Sequence, residues 1–197
     1  MTTATFGPPS WHPDGTGLVY TAEANAAAAK GDLASFEYTP DFGETFTGRK
    51  AACIFLLLLP TKPRGRKITL HQLTDRETVA DVAFGQPIML PGSLLRVLAT
   101  GYKSLGDSRR LGLVYCTNRS AAIYELEIAQ VDDVWRATGA VRQSEVGRSA
   151  RSARVFCPPP EVKVAPLVVF LSNPEGGVHG GCSQLHAVSL TSGRSPC

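Results

Sequence analysis

The chain has 197 residues, enough for one large domain or two small ones with a buried core. Its hydrophobic content of 43% excludes a wholly disordered chain, and a net charge of +3 is too small to indicate a nucleic-acid or membrane partner. The 19 glycines and 14 prolines favour many turns, and long helical patterns are scarce. The composition therefore favours an all-β fold.

The cysteines and the apolar runs bear on the cellular compartment. Five dispersed cysteines with no Cys-x-x-Cys pair favour free thiols in a reducing compartment over a disulfide framework. The first residues have neither a basic region nor an apolar core, so we expect no secretory signal. The most apolar run, 51–59, is far shorter than the roughly 20 residues of a membrane-spanning helix and predicts a buried strand. We therefore expect a cytoplasmic protein.

Three stretches of the chain share one plan, in which an aromatic residue precedes a turn and a set of apolar strands. In the first stretch, Trp11 precedes Pro13-Asp14-Gly15. Proline fixes φ and glycine accepts a positive φ, so this tripeptide predicts a tight turn that leads into a strand. We predict the partner strands of that strand at 52–59 and 67–73.

The second stretch begins at Phe84. We predict a strand at 94–99 and then an antiparallel hairpin, whose strands are 111–116 and 121–128. The segment 117–120 is a short polar turn between them. The later strand of this hairpin alternates polar and apolar residues, which indicates that one of its faces is buried.

The third stretch begins at Phe156, and we predict its strands at 166–171 and 182–190. Trp11, Phe84 and Phe156 are 73 and 72 residues apart, whereas a propeller blade usually takes about 40–50 residues. We therefore expect long insertions between strands. They are predicted at 25–47, 103–110, 129–151 and 173–181, with a short helix at 23–30. The repetition predicts a partial β-propeller of about three blades, and a β-sandwich remains an alternative.

The amino-acid sequence of residues 112–124 favours the propeller over the sandwich. It is Gly-Leu-Val-Tyr-Cys-Thr-Asn-Arg-Ser-Ala-Ala-Ile-Tyr. This segment closely resembles one in the N-terminal β-propeller of acylaminoacyl-peptidases (acylpeptide hydrolases), which are serine peptidases of the prolyl-oligopeptidase group. The segments 11–20, 36–56 and 179–185 are similar to further segments of that propeller, in the same order along the chain.

The resemblance implies that 1–197 is a partial N-terminal propeller domain, and that a C-terminal α/β-hydrolase domain with the catalytic triad is absent from this chain. A complete enzyme of this family releases N-acylated amino acids from short peptides, and its propeller restricts access to the hydrolase domain. The partners implied are that hydrolase domain and N-acylated short peptides. The alternative is a free-standing, β-propeller-like interaction module, because propellers have many unrelated functions.

Candidate chemistry in the chain is sparse. A serine hydrolase of the α/β type needs Gly-x-Ser-x-Gly, and the chain contains no such pentapeptide. His179-Gly180-Gly181 follows an apolar run, as oxyanion loops do, but we interpret it as a glycine-rich loop between strands. His179, Cys182 and His186 have a spacing compatible with zinc, but no fourth ligand lies nearby in sequence. We therefore assign no catalytic, cofactor-binding or metal-binding residue and expect the chain to be inactive alone.

Two basic groups are interpreted as solvated loops rather than phosphate sites, because no aromatic residues are interleaved with them. They are Lys62, Arg64, Arg66 and Lys67, and Arg148, Arg151 and Arg154. Four tyrosines are interpreted as strand packing rather than a ligand cage. They are Tyr20, Tyr102, Tyr115 and Tyr124. We expect 54–59 and 167–171 to lie on an open inner face, which favours association into a homo-oligomer.

Overall fold

The structure is a computed structural model that describes most of the chain. The described residues are 6–24, 36, 43, 48, 50–60, 68–75, 78–90, 96–105, 112, 115, 119–159, 161–162, 165–178 and 181–190. Within this part of the chain the regular elements are all strands, and they form three antiparallel sheets.

Strands that follow one another in the chain pair as antiparallel neighbours in every sheet. The first sheet contains β1 (Ser10–Trp11), β2 (Gly17–Glu23), β3 (Ala52–Leu58) and β4 (Thr69–Gln72). The second contains β5 (Val82–Met89), β6 (Arg96–Lys103), β7 (Ala121–Val131) and β8 (Val134–Arg142). The third contains β9 (Arg148–Phe156), β10 (Leu167–Pro174) and β11 (Gln184–Ser189). Three successive meanders of this kind are typical of propeller blades, so the all-β, partial-propeller prediction is confirmed.

The turn between β1 and β2 forms as the sequence predicts. Gly15 has a φ of 72°, in the left-handed region that favours glycine. The Asp14 carboxylate accepts hydrogen bonds from the Thr16 hydroxyl at 2.6 Å and from the Thr16 backbone N–H at 2.9 Å. The Thr16 hydroxyl and then this N–H lower the pKa of Asp14 to about 2. The predicted partners at 52–59 and 67–73 are confirmed as β3 and β4.

The second sheet lies between the other two, so its interior strand β6 is buried on both faces. In β6, Val97 and Ala99 join the apolar cluster that contains Ile54 of the first sheet. Leu98, between them in sequence, joins the cluster that contains Val168 of the third sheet. Alternate residues of β6 therefore serve two different cores, which is why this strand reads as a nearly continuous apolar run.

A β-bulge in β5 keeps its apolar residues on the correct faces. The register with β6 shifts between Gly85 and Ile88, where β5 has one more residue than its partner. Phe84 and Met89 are five residues apart, which in a regular strand would place them on opposite faces. Because the bulge adds one residue, both belong to the cluster against the first sheet. Gln86, at the bulge, has a φ of 51°.

The first and second sheets are also joined along their outer strands. The backbone N–H of Ala137 in β8 donates to the carbonyl of Leu73, next to β4, at 2.8 Å. The N–H of Trp135 donates to Nδ1 of His71 at 3.4 Å. These bonds cross from one sheet to the other, so the sheets are fixed at their outer rim as well as through their cores.

The predicted hairpin of 111–116 and 121–128 is wrong in its first strand. Gly112 and Tyr115 lie outside any strand, and the rest of 111–116 lies outside the described residues. The segment 121–128 is confirmed as part of β7, but this strand pairs with β6 and β8. The end of β7, all of β8 and the start of β9 occupy 129–151, where we predicted an insertion. β8 is an edge strand with an exposed face, so its polar residues resemble those of a loop.

The exposed inner face predicted for 54–59 and 167–171 is also wrong. These segments form the interior strands β3 and β10, and Ile54 and Phe170 are buried in the two cores. The other predicted insertions at 103–110 and 173–181 begin within β6 and β10. The predicted insertion at 25–47 and helix at 23–30 lie mostly outside the described residues.

The cysteines differ in state. The Cys53 thiol is buried, and the Cys182 thiol is exposed. Cys157 is disulfide-bonded, so the expectation of free thiols is wrong for this residue. Among the residues that the structure describes, none form a helix with the length and apolar character that a membrane span requires.

Candidate functional site

A cavity of about 470 Å³ opens where the first strands of the three sheets come together. β5 contacts both β1 and β9, so this is the inner edge of all three sheets. The cavity is lined by residues 7–10 at the entry to β1, residues 86–88 of the β5 bulge, and Ser152 and Arg154 of β9. We call it the inner-strand cavity.

Hydrogen bonds between sheets fix the walls of the inner-strand cavity. Oε1 of Gln86 accepts from the Thr100 hydroxyl at 2.8 Å and from the backbone N–H of Ser152 at 2.9 Å. The first of these bonds holds the side chain to its own sheet, and the second joins it to β9. On the opposite side, the Ser10 hydroxyl accepts from the backbone N–H of Met89 at 3.1 Å. The cavity is therefore bounded by strands that are bonded to each other.

Backbone conformation at the cavity is unusual. Gln86 and Ser152 have φ values of 51° and 56°, although neither is glycine, and such conformations cost about 1–3 kcal/mol each. β9 has one extra residue opposite the segment between Val169 and Leu171, so Ser152, like Gln86, sits at a bulge. Gly7 has a φ of 78°, and a Cβ there would lie 2.9 Å from the Gln86 Cα. Strained positions of this kind concentrate at functional sites.

The chemistry of the cavity suits binding rather than catalysis. Arg154 is the one charged side chain among the described residues that line it. Its Nη1 donates to the Ala153 carbonyl at 2.7 Å, and a guanidinium has five N–H donors in total. The lining residues bring no nucleophile together with a base and an acid. The site therefore offers one positive charge, on the exposed Arg154, beside apolar proline rings.

A second polar cluster lies within the third sheet. The Ser172 hydroxyl oxygen accepts from Nε of Arg148 at 2.7 Å and lies 2.8 Å from Nε2 of His186. The His186 ring stacks on Phe170 with their centroids 5.3 Å apart. A serine beside a histidine resembles a nucleophile and its base, but Ser172 is fully buried. No carboxylate in the described part of the chain hydrogen-bonds to His186, so we interpret the cluster as structural.

A neighbouring group completes this cluster. Nη1 of Arg151 donates to Oδ1 of Asn173 at 2.6 Å, and Nη2 donates to the Ser183 hydroxyl at 2.8 Å. Asn173 Nδ2 donates in turn to the Gly181 carbonyl at 2.9 Å. Burial lowers the pKa of Arg151, but a guanidinium remains charged near neutral pH. These bonds anchor the loop before β11 to the end of β10.

Of the two predicted basic groups, one lies in the part of the chain that the structure describes. The group at 62–67 lies outside the described residues. The interpretation of Arg148, Arg151 and Arg154 as loop residues is wrong, because all three lie on β9. Their spacing of three does not match the period of a strand, and the bulge at Ser152 places Arg151 and Arg154 on one face. No signal in the sequence marks this bulge.

Of the three residues with a spacing compatible with zinc, the structure describes two. His186 is held by the third-sheet cluster and Cys182 precedes β11, while His179 lies outside the described residues. Within the described part of the chain, no three His, Cys, Asp or Glu side chains are grouped to hold a metal ion.

Strand packing is confirmed for three of the four tyrosines. Tyr20, Tyr102 and Tyr124 each contact a phenylalanine ring, with ring centroids 5.6–5.8 Å apart. Burial raises the pKa of Tyr102. The interpretation is wrong for Tyr115, which is 65% exposed and lies outside any strand. The tyrosines therefore form no common ligand cage.

Comparison with known proteins identifies the family. No curated protein matches the chain. The family model described as the N-terminal domain of the acylamino-acid-releasing enzyme matches residues 6–196. This match covers nearly the whole chain and agrees with three meander sheets that meet at their first strands. The chain therefore belongs to the family of acylamino-acid-releasing enzyme N-terminal domains.

Proposed function

We propose that residues 1–197 form a noncatalytic part of the N-terminal β-propeller of an acylaminoacyl-peptidase-like serine peptidase, and that this part limits which peptides reach the hydrolase domain. The observation that supports the proposal is the family match over residues 6–196. An N-terminal domain family of this kind implies a C-terminal hydrolase domain in the full enzyme. The substrates of that enzyme would be short peptides with an acylated N-terminus.

The geometry supports a gating role through shape and charge. The inner-strand cavity lies where the first strands of the sheets meet, and its walls are fixed by the bonds of Gln86. A rigid ring with a narrow inner surface admits an extended short peptide and rejects a folded chain. Acyl transfer would occur on the hydrolase domain, which would supply the nucleophile, the base and the acid.

Two subsidiary proposals accompany this one. We place the enzyme in the cytoplasm because dispersed cysteines with no Cys-x-x-Cys pair favour a reducing compartment, although the disulfide at Cys157 is atypical of one. We also expect the isolated chain to self-associate. Phe156 and Leu185 lie on one face of the third sheet and are 52% and 71% exposed. Light scattering on the purified chain measures this, and a sharp monomer peak with a cooperative melt would contradict it.

The absence of catalysis has a direct test. The purified chain is incubated with a chromogenic ester of an acetylated amino acid, and we expect no turnover above the buffer rate. Clear hydrolysis that a serine-directed phosphonate abolishes would contradict the proposal. A Ser172→Ala variant then distinguishes the buried serine of the third-sheet cluster from any contaminating hydrolase.

The gating role needs the hydrolase domain. The chain is expressed within a full enzyme of the family, in place of the corresponding propeller segment, and a matched protein lacks the segment. We expect the enzyme with the segment to favour short N-acetylated peptides over long ones, and the enzyme without it to lose this length preference. Equal length preference in both proteins would overturn the gating proposal.

A further inference from the structure

We infer that the inner-strand cavity binds the free carboxylate of a short peptide and that Arg154 is the residue that holds it. This inference deepens the proposed function and rests on it for the class of ligand. Arg154 carries the one charge among the described residues that line the cavity, and no Asp or Glu is among them. A guanidinium is charged at any physiological pH, so the cavity attracts anions.

The guanidinium of Arg154 has more N–H donors than its bond to the main chain uses. Arg154 Nη1 donates to the Ala153 carbonyl at 2.7 Å, which uses one of five N–H groups. A carboxylate is planar and accepts two parallel N–H bonds from a guanidinium, so its geometry matches the donors that remain. The bond to the main chain also restrains the side chain beside the cavity, which reduces the entropy lost on binding.

The other walls suit an uncharged peptide chain. Pro8, Pro9 and Ile88 present apolar surface, and Ser10 and Ser152 add small hydroxyl groups. The volume of about 470 Å³ lies within the range of about 300–1,000 Å³ that is typical of sites for small ligands. The cavity therefore has room for a few residues of extended peptide that end at the charge.

The chemistry of the proposed substrate agrees with this arrangement. Acylation removes the positive charge of a peptide's N-terminus, so a short peptide with uncharged side chains carries a single charge, its C-terminal carboxylate. A positive group on the inner surface of the propeller is complementary to that one charge. The cavity would then favour peptides whose C-terminus lies within reach, which is a property of short peptides.

Strain at the cavity indicates a fixed shape. Gln86 and Ser152 hold positive φ values on two neighbouring sheets and are joined by a hydrogen bond of 2.9 Å. Gly7 approaches the bulge so closely that a side chain there would overlap it. A shape held by such costly conformations is prepared before the ligand binds.

The experiment titrates the full chain with N-acetyl-Ala-Ala as the free acid and as the C-terminal amide, by isothermal titration calorimetry. We expect the free acid to bind and the amide to bind at least about tenfold more weakly, because the amide cannot form a charge-assisted bond with the guanidinium. This comparison uses the unmodified chain and does not depend on any variant folding.

Variants locate the site. Arg154→Gln should weaken the free acid about tenfold and remove its advantage over the amide, and Arg154→Lys should recover part of that advantage. The matched control is Arg136→Gln, an exposed arginine on edge strand β8, which should leave both affinities unchanged. Circular dichroism confirms that each variant is folded.

Several results would overturn the inference: no binding of the free acid, equal binding of acid and amide, or an acid preference that survives Arg154→Gln. Inorganic phosphate serves as a competitor, and phosphate that binds as tightly as the peptide would indicate a general anion site instead. Failure of the proposed function is distinct, because it is measured by the length preference of the full enzyme and not by the acid–amide difference.

Discussion

The substitution Gln86→Ala is expected to lower the free energy of unfolding by about 3 kcal/mol, because one side-chain oxygen joins two sheets. Gln86 Oε1 accepts from the Thr100 hydroxyl at 2.8 Å and from the Ser152 N–H at 2.9 Å. Each of these neutral hydrogen bonds contributes about 1 kcal/mol. Thr100 is only 1% exposed, so loss of its acceptor adds a penalty of about 1 kcal/mol or more for a buried hydroxyl without a partner.

A second substitution isolates the part of this cost that belongs to Thr100. Thr100→Val removes the hydroxyl and largely preserves the volume of the side chain. In the Thr100→Val background, Gln86→Ala should cost only about 1 kcal/mol, since the bond from Ser152 is still lost but no buried hydroxyl is left without its acceptor. The double-mutant cycle should therefore give a coupling free energy of about 2 kcal/mol between the two side chains.

Urea unfolding followed by circular dichroism, with linear extrapolation to water, measures all four proteins of the cycle. Thr138→Val is the matched control, because the Thr138 hydroxyl is exposed on β8 and its bond to the Glu127 carbonyl is long, at 3.4 Å. That control should change the free energy of unfolding by less than about 0.5 kcal/mol. A coupling below about 0.5 kcal/mol would refute the reasoning, even if Gln86→Ala alone is destabilising.

Three further predictions concern other parts of the fold. Leu98→Ala should lower the free energy of unfolding in urea by about 3 kcal/mol, because Leu98 is fully buried between two sheets. The control Leu185→Ala removes an exposed side chain and should lower it by less than about 0.5 kcal/mol. Equal losses in the two variants would contradict the packing of the second sheet against the third. Hydrogen bonds within its turn lower the pKa of Asp14 from 3.8 to about 2, so the stability that its charge contributes is complete above about pH 4 and is lost as pH falls through 2. The stability difference between the natural chain and Asp14→Ala should therefore shrink between pH 4 and pH 2, and a constant difference would argue against these bonds. Gly7→Ala should lower the melting temperature more than Gly147→Ala. Both glycines have a positive φ, but only at Gly7 would a Cβ meet the backbone, at 2.9 Å from the Gln86 Cα. Equal shifts in melting temperature would contradict this close approach.

Elements with a strong local signal could be predicted from the sequence. The turn at Asp14 and Gly15 combines residues that each favour it, and the run that became β3 is apolar over seven residues. The interior strands β6 and β10 were located for the same reason, because each contains a short run of apolar residues. The edge strand β8 was missed, since its exposed face carries Arg136 and Thr138 and its interior contains Gly139.

The candidate site could not be predicted from the sequence. The inner-strand cavity depends on two bulges, and neither Gln86 nor Ser152 belongs to a residue type that favours a positive φ. The bulges change which residues of a strand share a face. Arg151 and Arg154 therefore lie on one face of β9, and Phe84 and Met89 on one face of β5, although simple alternation would place each pair on opposite faces. Only the register of the paired strands reveals these relationships.

The position of the second sheet between its neighbours has a consequence for evolution. Every residue of β6 from Val97 to Tyr102 is shielded from water, so each substitution there must suit the packed surroundings on one or other face of the sheet. In β11 most positions are exposed, and a change there disturbs few contacts. Natural variants of this domain should accordingly accumulate changes in outer strands such as β11 and keep the sequence of β6 almost constant.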